Sequence, residues 1–278
     1  YKQLIDDPVR FLHDVIFPRA APGLGKPGTP QWNGAWTKIG WELHRIYTWQ
    51  LDLTNRLQKL GYVFFPLTNA YTPTDFINDF LRHPTETMLD MRRHPDDLKA
   101  AAEVIVEPIL KVARAVPPIH PPDGYTWVFV PCHLNEMLSP KMYAEFYHPY
   151  QKKVFEPLIR EGYKMFVYYE GDHRHNVDFL LDFPKAWGVA WFERPASKWP
   201  DDFIKQVWEK LKGHVVVMGG IPATILEAWT PEKIDEYVKK VMNAIKPDCA
   251  GFIFAPGVEL PGDTPPANVR AFINAVLK

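Results

Sequence analysis

Residues 125–172 read YTWVFVPCHLNEMLSPKMYAEFYHPYQKKVFEPLIREGYKMFVYYEGD. Two runs of strand length stand in this stretch, Thr126–Cys132 (TWVFVPC) and Lys164–Tyr169 (KMFVYY). Between them a helical pattern extends from Pro140 to Glu161, with Ser139 as cap and Pro140 in the first turn. Pro149 and Pro157 are expected to kink or split that helix. The stretch therefore predicts a strand, a crossover helix and a second strand. Each strand ends on a polar group: His133 after the first, Glu170 with Gly171 and Asp172 after the second. In a parallel sheet both groups lie at the carboxyl edge, where ligands bind.

The same alternation extends outward. Strands are expected at 62–67 (YVFFPL), 188–192 (GVAWF), 214–218 (HVVVM) and 250–254 (AGFIF), and helices at 96–112, 175–183, 201–212, 231–245 and from Pro265 to Leu277. Continuous apolar strands separated by helices indicate a parallel sheet covered on both faces. No GxGxxG or Walker pattern follows an early strand, so a doubly wound nucleotide fold is disfavoured. Site-like residues after every strand favour a (β/α)8 barrel, of which six strands are visible. Residues 1–60 form a helical, aromatic segment expected to pack on barrel units spanning 61–278. A helix over 36–60 carries Ile39, Leu43, Ile46, Leu53, Leu57 and Leu60 at intervals of three and four. Trp36, Trp41 and Trp49 are expected in the core or on a contact surface, and the aromatic content there hints at a homodimer.

Composition narrows the function. The 278 residues are 46% hydrophobic, enough for one sizeable core, and the net charge is −1 from 32 basic and 33 acidic residues. That balance gives no sign of nucleic acid or an anionic membrane as partner. No apolar run reaches the roughly 20 residues that span a bilayer. Cys132 and Cys249 form no CxxC and sit beside apolar runs, so both read as buried thiols of a reducing cytoplasm.

At this level of detail the sequence resembles a known family. Residues 129–171 (FVPCHLNEMLSPKMYAEFYHPYQKKVFEPLIREGYKMFVYYEG) are similar to the uroporphyrinogen decarboxylase superfamily, in particular its methyltransferase-like, corrinoid-linked branch. Residues 215–242 and 251–276 resemble its last two barrel units, and 81–103 its helical insert. The resemblance implies a (β/α)8 TIM barrel whose first two strands are expected upstream of Tyr1. It also implies one of two chemistries. Decarboxylases of the family carry a histidine in a GHG turn after the last strand, where this chain has Ala255-Pro256-Gly257. The zinc-dependent methyltransferases carry an H-x-C pair where this chain has Tyr168-Tyr169-Glu170-Gly171, and a last cysteine where Val258 stands. The thiolate set is thus absent, and Glu170 is the candidate replacement.

The candidate catalytic residues are His133, Glu170 and Glu193, from three successive strand ends. One nitrogen and two oxygens would suit Zn²⁺ or another divalent metal, with His133 and Glu170 as ligands. The bland alternatives are a satisfied structural histidine, and a Glu193 that merely pairs with Arg194. Cys132 would point away from His133 along an extended strand. Asn69, Tyr71, Tyr168, Asp172, Gly219, Gly220 and Pro256 are candidates for substrate binding, the glycines because a ligand could approach their backbone closely. Asp172, His173 and His175 also read as a solvated loop. The expected function is cytoplasmic transfer of a methyl group between a small methylated substrate and a corrinoid protein. The rivals are a cofactor-independent decarboxylase of a carboxylated ring, and a non-catalytic barrel.

Overall fold

The computed structural model describes residues 1–26, 28–61, 67–120, 124–193, 203–245 and 249–277. Six strands make one parallel sheet in sequence order: β1 (Leu67–Asn69), β2 (Trp127–Cys132), β3 (Lys164–Tyr169), β4 (Gly188–Phe192), β5 (Val216–Ile221) and β6 (Phe252–Pro256). Sequential order with every neighbour parallel is the arrangement of consecutive β/α barrel units. The register places Pro131 beside Tyr168, Tyr168 beside Trp191 and Trp191 beside Met218. The strand ends bearing His133, Glu170 and Glu193 are therefore neighbours.

The helices are α1 (Lys2–Asp6), α2 (Pro8–Phe11), α3 (Phe17–Ala20), α4 (Pro30–Lys59), α5 (Pro73–Ile77), α6 (Pro84–Arg93), α7 (Pro95–Ala113), α8 (Pro140–Met142), α9 (His148–Arg160), α10 (Phe203–Leu211), α11 (Ala223–Ala228), α12 (Pro231–Ile245) and α13 (Pro266–Val276). On β2, Val128, Val130 and Cys132 are fully buried and alternate with half-buried Trp127, Phe129 and Pro131. The buried set joins Val154, Phe155 and Leu158 of α9 in one core. Each such side chain contributes roughly 1.5–3 kcal/mol by leaving water. On the other face an aromatic ladder crosses three strands: Phe129 to Phe166 at 5.8 Å, Phe166 to Trp191 at 5.9 Å and Tyr168 to Trp191 at 4.6 Å.

Several boundaries differ from the sequence reading. Most of the expected strand 62–67 lies outside the described residues, and β1 begins at Leu67. The strand expected at 214–218 extends to Ile221, so Gly219 and Gly220 lie inside β5 rather than in a turn after it. The helix expected over 175–183 is a 3₁₀ segment, Val177–Asp182. The helix from Pro140 is interrupted by a π turn at Tyr143–Tyr147 and resumes as α9. Pro149 accounts for the interruption: it has no N–H, and its ring crowds the carbonyl one turn back. Pro157 does not split the helix, which continues to Arg160.

The N-terminal segment packs through α1 and α2 against α7, with Leu4 buried there. Helix α4 has no buried residue, and Trp36, Trp41 and Trp49 are exposed on it, so the core reading of these tryptophans fails. Cys132 is buried as expected, whereas Cys249 is exposed. No helix among the described residues is long and apolar enough to cross a membrane.

Candidate active site

His133 follows β2 and is held by the chain from β1. Thr72 caps α5, with Pro73 in the first turn and Asp75 at the third position. Asp75 is fully buried and accepts four hydrogen bonds. Its Oδ1 takes the backbone N–H of Leu134 at 2.8 Å and of His133 at 3.3 Å. Its Oδ2 takes the hydroxyls of Tyr147 at 2.5 Å and Thr72 at 2.8 Å. Burial pushes its carboxyl up to about 6, against the hydrogen bonds, which pull it down.

Directly after α5 the chain widens into a π turn, Asn78–Arg82, closed by the His83 N–H donating to the Asn78 carbonyl at 2.8 Å. Such turns are frequent at functional sites. This one delivers Asp79 to His133: Asp79 Oδ2 lies 2.6 Å from the imidazole Nδ1. It ends in His83 at φ 72°, an uncommon conformation for a residue with a Cβ. Arg82 is tied back by two hydrogen bonds to the buried Asp90, at 2.7 and 3.0 Å.

The second nitrogen of His133, Nε2, stands 3.6 Å from Glu170 Oε2. The Glu170 backbone is fixed on both sides. Its N–H donates to the Cys132 carbonyl at 3.0 Å, and its carbonyl accepts from Asn135 Nδ2 at 2.9 Å. Its side chain is about half exposed at the mouth of a cleft of about 680 Å³. Asp79, Phe80, Arg82, His83, His133, Glu136 and Glu170 line this cleft. The Asp79 hydrogen bond, working against partial burial, raises the His133 imidazole to about 9, so it carries a proton at neutral pH. Burial raises the Glu170 carboxyl, the His133 charge lowers it, and Glu193, Asp79 and Glu136 raise it further.

Glu193 accepts the Gly171 N–H at 2.9 Å and hydrogen-bonds the hydroxyl of Tyr168, a phenol already raised by burial. Gly171 has φ 71°, and a Cβ there would overlap the Glu136 carboxylate. Gly171→Ala is therefore expected to cost about 2–4 kcal/mol, combining left-handed strain with a displaced carboxylate, measurable as a lowered denaturation midpoint.

The other candidates are distributed as follows. Tyr71 stands edge-on to His133, ring centres 6.5 Å apart. Asn69 lines a separate apolar cavity. Pro256 accepts the Trp191 indole N–H at 2.9 Å. Asp172 does not face the cleft: it forms a bidentate pair with Arg174, whose guanidinium lies over Phe203. His173 is not solvated but fully buried and stacked on Tyr169 at 4.3 Å, and burial drops its imidazole to about 3. Gly219 and Gly220 make room for protein. A Cβ on the first would press on the Phe192 carbonyl, and on the second would overlap the Phe254 ring. Arg194, the expected partner of Glu193, lies outside the described residues.

The described residues do not assemble the expected three-donor set. His133 Nε2 and Glu170 Oε2 stand 3.6 Å apart, while Glu193 is engaged by the Gly171 N–H. Among the described residues no three His, Cys, Asp or Glu side chains form a metal-ligand group.

The sequence profile of the uroporphyrinogen decarboxylase family matches residues 72–278. The chain belongs to that family. It is 29% identical over 147 residues to the uroporphyrinogen decarboxylase of Aliivibrio salmonicida (strain LFI1238), covering 50% of this chain and 38% of that protein. Its fold is similar to a methyltransferase from Methanosarcina mazei, with a TM-score of 0.58 and 16% identity over 79% of this chain and 60% of that one. The chain thus spans less than two thirds of either protein. Within the family barrel, His133 and Glu170 sit on the carboxyl edge of successive strands.

Sequence reasoning missed Asp75, Asp79, Glu136 and the π turn. Asp75 has the look of an ordinary first-turn acid. The one available signal was its spacing of four from Asp79, which places both on one helical face.

Proposed function

We propose that the cleft catalyses methyl transfer from a small methylated substrate to a corrinoid protein, with His133 as the general acid. One arrangement carries this reading: an imidazole held between Asp79 at 2.6 Å and Glu170 at 3.6 Å. Asp79 occupies Nδ1, so the Nε2–H is the mobile proton. Both His133 and Glu170 line the open cleft, from which a substrate heteroatom can reach Nε2. A corrinoid carried by the partner would supply the nucleophile that accepts the methyl group. As the bond from methyl carbon to heteroatom breaks, the electron pair stays on the heteroatom. His133 Nε2–H then protonates it, and Glu170 and Asp79 steady the imidazolium before that transfer.

The surroundings favour this over decarboxylation of a polycarboxylate. Asp79, Glu136, Glu170 and Glu193 gather at the mouth, and Arg82 is engaged by Asp90. Four carboxylates repel an anionic ring. The test is incubation with a corrinoid protein in its reduced state and a panel of methylated amines, thiols and ethers, following the cobalt absorbance. Methylation of the corrinoid with one class of donor is the expected result. No change with any donor, together with carbon dioxide release from a carboxylated ring, would transfer the assignment to the decarboxylase reading.

A further inference from the structure

A second pocket, of about 270 Å³, adjoins the cleft. Leu4 and Leu12 of the N-terminal segment close one side, and Ile105 and Ile109 of α7 the other. Ala70 and Tyr71, just beyond β1, form its floor. Phe80 belongs to both voids, because it lines the cavity and the His133 cleft alike. Phe80 packs on Phe76 at 5.0 Å and on Tyr71 at 5.4 Å, and Tyr71 in turn stands beside His133. Phe80 thus stands between the two pockets.

The pocket is half open to solvent, with Phe80 and Val112 of its lining exposed. Water is a poor occupant here, since it needs two to four polar partners and this lining is almost wholly aliphatic and aromatic. Apolar cavities of about 150 Å³ stay dry and take up benzene. This one has space for a larger ring.

We propose that the cavity is a binding site for a small neutral apolar ring compound, of one ring or two fused rings. Its lining offers no charge to pair with an ion and few polar groups to orient a sugar or a nucleotide. Ligand sites are mostly apolar, and this lining presents almost no polar atom. If the methyl-transfer reading above holds, and on that reading alone, the cavity receives the apolar body of the substrate, and its methylated end passes the Phe80 wall to His133.

The test uses toluene and indole as probes in titration calorimetry on the intact chain. Saturable one-to-one binding of at least one probe is expected. Ile109→Phe and Leu12→Phe each fill the cavity from a different wall and are expected to weaken that binding tenfold or more. Circular dichroism confirms the fold, and the second variant serves if the first does not fold. His133→Gln and Glu170→Gln are expected to bind the probe within twofold of the parent. Absence of saturable binding with both probes overturns the site, as does unchanged affinity in a folded cavity-filling variant. Probe binding without corrinoid methylation leaves the site standing and refutes the methyl-transfer reading alone.

Discussion

His133→Gln is expected to lower the rate of methyl transfer by about 10²- to 10⁴-fold, the range that a positioned proton donor contributes. Glutamine keeps a polar group of similar reach but has no acidic proton at neutral pH. The folded state should survive, since the His133 side chain is partly exposed and its backbone N–H still meets Asp75. The pH profile separates this role from a structural one. His133 in the native cleft is raised to about 9 by Asp79, so activity that needs the acid form falls as pH rises through about 9. In Asp79→Asn the carboxylate is removed, and the same limb should move down toward the ordinary imidazole value near 6.5. The stability linkage has the same sign. A group with a raised folded pKa contributes stability fully present below its unfolded value near 6.5, and this is lost as pH rises through about 9. The His133–Asp79 pair is partly exposed, so solvent screening limits that contribution to about 1 kcal/mol. An alkaline limb that stays in place in Asp79→Asn would remove His133 from the role of acid.

The parts of this site that were legible in the sequence were those on strand ends. A histidine after TWVFVPC and a glutamate after KMFVYY interrupt apolar runs, and a parallel sheet can only place such groups along one edge. Asp79 was illegible for a physical reason. It sits in a helix whose hydrogen-bond ladder skips a residue, and a reading based on 3.6 residues per turn cannot anticipate where that turn aims its side chains. Gly219 and Gly220 misled in the opposite direction. Paired glycines signal a turn or a ligand contact, but here the crowding comes from Phe192 and Phe254 on the flanking strands, whose proximity exists only once the sheet is formed. His133 and Glu170 do come together as their strand ends predict, but Asp79, which the sequence did not single out, takes the other nitrogen of His133.

Asp75→Ala is expected to be the most damaging single change to stability. Four donors converge on this carboxylate, and alanine leaves the N–H groups of His133 and Leu134 and the buried Tyr147 hydroxyl without an acceptor. Each orphaned group costs roughly 1–3 kcal/mol, while removal of a buried charge offsets part of the sum, so a net loss of about 3 kcal/mol is expected. For a chain of this size that lowers the thermal midpoint by roughly 6–12 °C. Asp75→Asn keeps the shape and one acceptor, and a smaller loss follows. It also alters the pH dependence in a way that identifies the cause. Burial raises the Asp75 carboxyl to about 6 in the folded chain, above its unfolded value, so the native state binds this proton more tightly. Its contribution is present below about 4 and is lost as pH rises through about 6. The parent chain should therefore gain stability from this group on acidification between those values, and Asp75→Asn should not. Denaturant midpoints measured from pH 4 to pH 8 on both chains decide the point. Parallel curves would mean that the carboxylate is already compensated by its hydrogen bonds, and that its role under His133 is packing rather than charge.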